Sequence, residues 1–172
     1  RIAAVEVMFT NFAIGAMINQ AVSQLPQTQC YLNIGVWHGY TFFSGLAGNE
    51  DKHCIAVDNF SLKNSPREEF LARFHRFASP SHAFHEMDFR EYLKRMHHTP
   101  IGFYLFDGPH QYEDQYEGLQ LAEPFFADNC IVRVDDGNWD HVHAANSDFM
   151  RESKNNYRLL LDKKTPKSGH PT

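Results

Sequence analysis

Two apolar runs of strand length end abruptly in acids. Residues 101–106 stop at Asp107-Gly108-Pro109-His110, and residues 130–134 stop at Asp135-Asp136-Gly137-Asn138. An apolar run followed by Gly or Pro reads as a buried parallel strand, and polar groups at the carboxyl end of such a strand face the crevice where open α/β sheets bind ligands. Clustered carboxylates repel one another unless a cation joins them, and hard ions such as Mg²⁺ or Mn²⁺ take oxygen ligands. Asp107, Asp135 and Asp136 are therefore the candidate metal site. The plainer alternative has Asp107 and Asp135 capping turns with Asp136 in water. Delivery of acids by two strand ends to one place favours the metal. Histidine is the side chain best suited to exchanging a proton at neutral pH, which makes His110, one tight turn beyond Asp107, the candidate general base.

A second group precedes these acids. Asn33-Ile34-Gly35-Val36-Trp37-His38-Gly39-Tyr40-Thr41 reads as a strand-to-helix turn with two glycines. Such a turn lets a ligand approach the backbone, and the helix start offers free N–H groups to an anion. Tight strand–helix packing is the equal alternative. The turn is not the dinucleotide pattern G-x-G-x-x-G, because Trp37 occupies the middle glycine position. Asp58 closes the next apolar run about 20 residues beyond the turn, where an acid can accept hydrogen bonds from ribose hydroxyls. Its alternative is a turn-forming Asp before Asn59. Asp88 stands equally well as a contact to the adenine end of a ligand or as a helix N-cap.

The elements that must position these residues alternate. Strands are expected at 31–36, 54–58, 83–87, 102–107, 131–135 and 157–161, and helices at 1–24, 41–47, 66–77, 90–97, 112–126 and 140–152. Helices between short apolar strands imply parallel right-handed crossovers and a sheet covered on both faces. The fold class is thus α/β, in one domain over 1–172 with an N-terminal helical segment (1–26) and a polar tail (163–172). At 172 residues and 42% hydrophobic content the chain can bury a full core, and no apolar stretch reaches membrane-spanning length. A net charge of −5 lacks the basic field that nucleic acid needs, so neither nucleic acid nor membrane is an expected partner. Three cysteines fit buried thiols in a reducing compartment, and no signal peptide is visible, so a cytoplasmic location is expected. Most of the eleven histidines are scattered without ligand-like spacing.

These motifs resemble class I S-adenosylmethionine-dependent methyltransferases, particularly the small metal-dependent O-methyltransferase branch that includes macrocin O-methyltransferase and cephalosporin-hydroxylase-like proteins. The resemblance rests on Ile34 to Gly39 with Thr41, Val57-Asp58, Phe106-Asp107-Gly108-Pro109-His110 with Tyr112-Glu113, and Val134-Asp135-Asp136, and spans roughly 31–161. It implies a Rossmann-like, doubly wound sheet in the order 3-2-1-4-5-7-6. It also implies a donor site with Gly35, Trp37, Gly39, Thr41, Asp58, Asp88 and Asp107 as cofactor-binding residues. Asp107, Asp135 and Asp136 would coordinate Mg²⁺ (or Mn²⁺), with His110 as base. The family usually carries an acid at the position of Asn33, which alters one polar contact expected in the donor pocket, and no clear seventh strand follows 157–161.

The expected reaction is transfer of a methyl group from S-adenosylmethionine to a hydroxyl of a small molecule, with a homo-oligomer as a further expectation. Two other functions use the same residues: a metal-dependent hydrolase built on the acid cluster, and a non-catalytic methyltransferase-like binding domain. The acceptor is not legible, although Phe9, Phe12, Tyr40 and Trp139 are candidates for its pocket.

Overall fold

The computed structural model describes residues 12–162. The first part of the expected N-terminal helix and the polar tail 163–172 lie outside the described residues. Five parallel strands form one sheet in the order β3-β2-β1-β4-β5. They are β1 (Cys30–Ile34), β2 (His53–Asp58), β3 (His82–Glu86), β4 (Ile101–Phe106) and β5 (Phe126–Val134). The helices are α1 (Phe12–Ser23), α2 (Tyr40–Leu46), α3 (Arg67–Phe77), α4 (Phe89–Arg95), α5 (Tyr112–Ala122) and α6 (Asp140–Glu152).

The central strands β1 and β4 are buried along their whole length, as continuous apolar runs demand when helices cover both faces. Alternation sorts their side chains into two cores. Tyr31, Phe103 and Leu105 join Phe42, Phe70 and the α1–α3 side, whereas Leu32, Ile34, Tyr104 and Phe106 join Phe89, Leu93, Leu119 and the α4–α6 side. The first core is largely aromatic: Phe70 lies 4.8 Å from Phe84 and 5.3 Å from Phe43 between ring centroids, distances at which tilted rings attract.

Two boundaries differ from the sequence reading by more than two residues. The fourth crossover helix ends at Ala122 rather than 126, because Pro124 has no N–H to continue it and the chain tightens into a 3₁₀ turn over Glu123–Phe125. β5 then starts at Phe126 rather than 131. A register shift on β5 carries the exposed Asp128 and Asn129 between the pairs Ile101–Phe126 and Phe103–Ile131, which hid the start of the strand behind polar residues. The expected strand at 157–161 does not form. Tyr157 instead donates to Glu123 (2.7 Å) and packs on Phe149, while Leu159, Leu160 and Leu161 stay exposed. Among the described residues, no helix is long and apolar enough to cross a membrane.

Candidate active site

The carboxyl ends of four strands are drawn together by backbone hydrogen bonds that continue the ladder into the loops. Gly35 donates to Val57 (2.9 Å), Asp107 to Ile34 (2.8 Å) and Asp135 to Phe106 (3.0 Å). Gly35 sits at φ 74°, and a Cβ there would lie 1.9 Å from the carbonyl oxygen of Asp107. Only glycine permits that approach, so the turn after β1 is laid directly on the end of β4. Gly39, at φ 89°, starts α2 beneath the ring of Phe43. The intervening Trp37 is also left-handed, at φ 48°.

Asp58 holds this turn in place. One carboxylate oxygen accepts from the amides of Val36 (2.8 Å) and Trp37 (3.2 Å), and the other from Phe60 (2.8 Å). A carboxylate has about four lone-pair sites, so capacity for a ligand hydroxyl remains. Asp88 caps α4 by accepting from the amide of Arg90 (2.8 Å), which satisfies the N-cap alternative, and it still faces the cleft. Gly35, Asp58 and Asp88 line one cleft together with Gly108, Met87 and Phe89. Trp37, Gly39 and Thr41 are not on its wall. Met87 and Phe89 were missed in the sequence; the available signal was an acid flanked by two large apolar residues directly after an expected strand. Arg90 braces this wall by pairing with Asp114 and, at 2.5 Å, with Glu117 on α5.

Asn33, expected in the donor pocket, lies instead in the core. It is fully buried, its Oδ1 accepts from the hydroxyls of Tyr31 (3.0 Å) and Thr41 (2.9 Å), and its Nδ2 donates to the carbonyl of Gly35 (3.0 Å). Thr41 is occupied by the same knot and is itself buried. An amide suits this position because it accepts on one side and donates on the other, which a carboxylate cannot do.

The acid cluster lies beyond the glycine turn, at the ends of β4 and β5. His110 Nε2 stands 3.1 Å from Asp136 and 3.8 Å from Asp107. Asp136 reaches it from a left-handed backbone at φ 51°. Burial, with Asp135 and Asp136 adding, pushes the Asp107 carboxyl well above the usual carboxylate range, and Arg133 alone opposes them. Asp135 pairs with Arg133 at 3.0 Å. The three-carboxylate site expected from sequence is therefore not assembled: among the described residues no three His, Cys, Asp or Glu side chains are disposed to hold a metal ion. Arg133 gives one of the three carboxylates, Asp135, a counter-charge within the chain itself. Asp107 and Asp136 approach His110 Nε2 from two strand ends.

Of the aromatic candidates for an acceptor pocket, Trp139 stands beside His110, with 5.3 Å between the ring centroids. Tyr40 is buried and Phe12 lies exposed on α1. Phe9 is outside the described residues.

The strand order with ligand-facing groups at the ends of β1, β2 and β4 defines a class I methyltransferase fold. A family model described as a methyltransferase domain matches residues 32–137, and the chain belongs to that family. No curated protein sequence matches it. Among solved structures it is similar to CalS11, a TDP-rhamnose 3′-O-methyltransferase of calicheamicin biosynthesis, with 19% identity over 88% of this chain and 74% of that one and a TM-score of 0.65. It is also similar to the O-methyltransferase TomG of Streptomyces achromogenes, solved with S-adenosylmethionine (15%; 83% and 68%; TM-score 0.57). A third is the S-adenosylhomocysteine-bound methyltransferase PaMTH1 of Podospora anserina (16%; 74% and 53%; TM-score 0.58).

Proposed function

We propose that the chain is an S-adenosylmethionine-dependent O-methyltransferase acting on a hydroxyl of a small molecule, with His110 as general base. The observation that carries this reading is the placement of His110 Nε2 between Asp107 and Asp136, one turn from the cleft that Gly35, Asp58 and Asp88 line. Donor-bound TomG and product-bound PaMTH1, which share the fold, support the choice of donor.

In this reading Asp58 accepts from the donor ribose, Asp88, Met87 and Phe89 form the adenine end, and Gly35 lets the methionine part lie against the backbone. Trp37, Gly39 and Thr41 fix the turn rather than touch the ligand. His110 accepts the acceptor's hydroxyl proton, and the imidazolium so formed is stabilised by the Asp136 carboxylate 3.1 Å from its Nε2. The oxygen then attacks the methyl carbon in line with sulfur, the O–C bond forming as the C–S bond breaks and S-adenosylhomocysteine leaves. Asp107 and Asp136 would hold Mg²⁺ (or Mn²⁺). A bound divalent ion supplies Lewis acidity that favours the deprotonated hydroxyl. Trp139 flanks the base on the acceptor side. Free thiols at Cys30, Cys54 and Cys130 fit a reducing, cytoplasmic setting.

Calorimetric titration of S-adenosylmethionine and S-adenosylhomocysteine, with and without Mg²⁺, followed by methyl transfer to catechols and sugar diols, tests the proposal. Micromolar binding and transfer are expected. Binding of neither ligand to folded protein would refute it. His110→Gln should leave S-adenosylhomocysteine affinity unchanged and lower kcat by about 10²–10⁴-fold, the usual worth of a positioned base.

A further inference from the structure

Asp88 and Phe89 are consecutive residues on the wall of the donor cleft, and the residue after them touches both. The backbone amide of Arg90 donates to Asp88 Oδ1 at 2.8 Å, while its guanidinium lies over the Phe89 ring, with Cζ 4.4 Å from the centroid. Phe89 is buried and meets Phe106 edge-on at 5.4 Å, so a cation and an aromatic neighbour both fix its ring. The guanidinium is not spent on Asp88. Its Nη1 stands 3.8 Å from Asp88 Oδ2, beyond hydrogen-bond reach, whereas Nε donates to Glu117 at 2.5 Å and Nη2 donates to Asp114, both on α5. Lys94, one turn further along α4, shares Glu117 at 3.3 Å. A guanidinium fork readily takes a neighbouring carboxylate through two parallel bonds. Here the two carboxylates of α5 hold the fork, and Asp88 Oδ2 keeps its lone pairs.

We propose that Asp114 and Glu117 are positioning residues for donor recognition: by holding the Arg90 guanidinium on α5 they keep it off Asp88 Oδ2, and that free oxygen selects a base carrying an amino group, as adenine does, over one carrying an oxo group. The proposal rests on the reading that Asp88 and Phe89 meet the adenine of the donor. A carboxylate oxygen accepts a hydrogen bond from an amino group and repels a carbonyl in the same place, so selection follows from whether Asp88 Oδ2 is free. Neither Asp114 nor Glu117 is on the cleft wall, and their effect passes through Arg90.

Calorimetric titration of the full chain with S-adenosylhomocysteine and with S-inosylhomocysteine, in which an oxo group replaces the amino group, reads the selection as a ratio of affinities. The unmodified chain should prefer the adenosyl compound roughly tenfold or more, the worth of a hydrogen bond to a charged group. In the double variant Asp114→Asn with Glu117→Gln the released guanidinium should take Asp88. Affinity for S-adenosylhomocysteine should then fall and the preference should drop to within about threefold. Adding Arg90→Met to that pair removes the competitor and should restore the preference, which a mere loosening of α4 from α5 would not do. Arg90→Met alone should also retain the preference, because the backbone amide of residue 90 still fixes Asp88. That variant keeps the test open if the double variant does not fold. An unchanged preference in the folded double variant, no recovery in the triple variant, or loss of preference in Arg90→Met overturns the role of the α5 pair. Binding of both compounds equally by the unmodified chain overturns it and leaves the donor reading standing, whereas binding of neither overturns both.

Discussion

Asn33→Asp restores the acid that the resemblance leads one to expect, and the structure gives a quantitative reason why it should harm this chain. The Asn33 amide is fully buried and donates to the Gly35 carbonyl at 3.0 Å and, more weakly, to that of Ile34 at 3.4 Å. A carboxylate would set an anionic oxygen against both. The substituted chain can escape only by binding a proton at the new carboxyl, which then donates to Gly35 as the amide did. From an unfolded-state pKa of about 3.9, that proton costs about 4 kcal/mol at pH 7 and about 1.5 kcal/mol at pH 5. The folded-state pKa of the new group is raised, so the penalty is small at low pH and grows as pH rises toward neutrality. The hydroxyls of Tyr31 and Thr41 still have an acceptor and soften the penalty below that ceiling. Urea unfolding of both chains at the two pH values measures it. A difference below about 1 kcal/mol at pH 7, or one that does not shrink at pH 5, would refute the assignment of Asn33 to the core knot.

Gly35→Ala meets both a left-handed backbone, worth about 1–2 kcal/mol, and a 1.9 Å collision with the Asp107 carbonyl, so a loss of stability beyond the strain figure and loss of S-adenosylhomocysteine binding are expected. Unfolding midpoints and calorimetry check this, and near-native stability would be inconsistent with the contact. His97 is buried, bonded to Tyr92 at 3.0 Å, and burial lowers its pKa from 6.5 to about 4. The unfolded chain therefore binds the proton first, and stability present above pH 6.5 is lost as pH falls toward 4, by up to about 3 kcal/mol from this residue. His97→Asn should flatten that slope in urea titrations across the same interval, and an unchanged slope would assign acid sensitivity elsewhere.

The parts of the fold that were legible are those where one interaction dominates. The runs ending at Ile34, Asp58 and Phe106 are apolar on both faces, and burial on both faces leaves a parallel strand as the only economical outcome. β5 was legible only in its second half, because Asp128 and Asn129 interrupt the pattern at a register shift that depends on the partner strand. Leu159, Leu160 and Leu161 were misread as a strand: apolar composition is local, but a strand needs a paired edge, and here Tyr157 is held by Phe149 and Glu123. The site divides in the same way. Gly35, Asp58, Asp88, Asp107 and His110 were legible as strand-end positions because type and place along the chain define them. The pairing of Asp135 with Arg133 was not, because it depends on how two side chains of one strand end meet. Arg133 in an otherwise apolar run was the visible sign, since a charge is not carried into a half-buried strand without a partner.

The same economy explains why Asp58 and Asn33 can serve a binding site without both touching a ligand. Three backbone amides converge on Asp58 and the Gly35 carbonyl is tied to Asn33, so the loop that meets the ligand is fixed from both sides before anything binds. Ordering a loop of this kind costs roughly 1–2 kcal/mol per residue. A turn already ordered by its own side chains spares the ligand that cost, and affinity then depends on the few contacts made at the strand ends. It follows that the residues most sensitive to substitution in this turn include ones, such as Asn33, whose work is to fix the backbone.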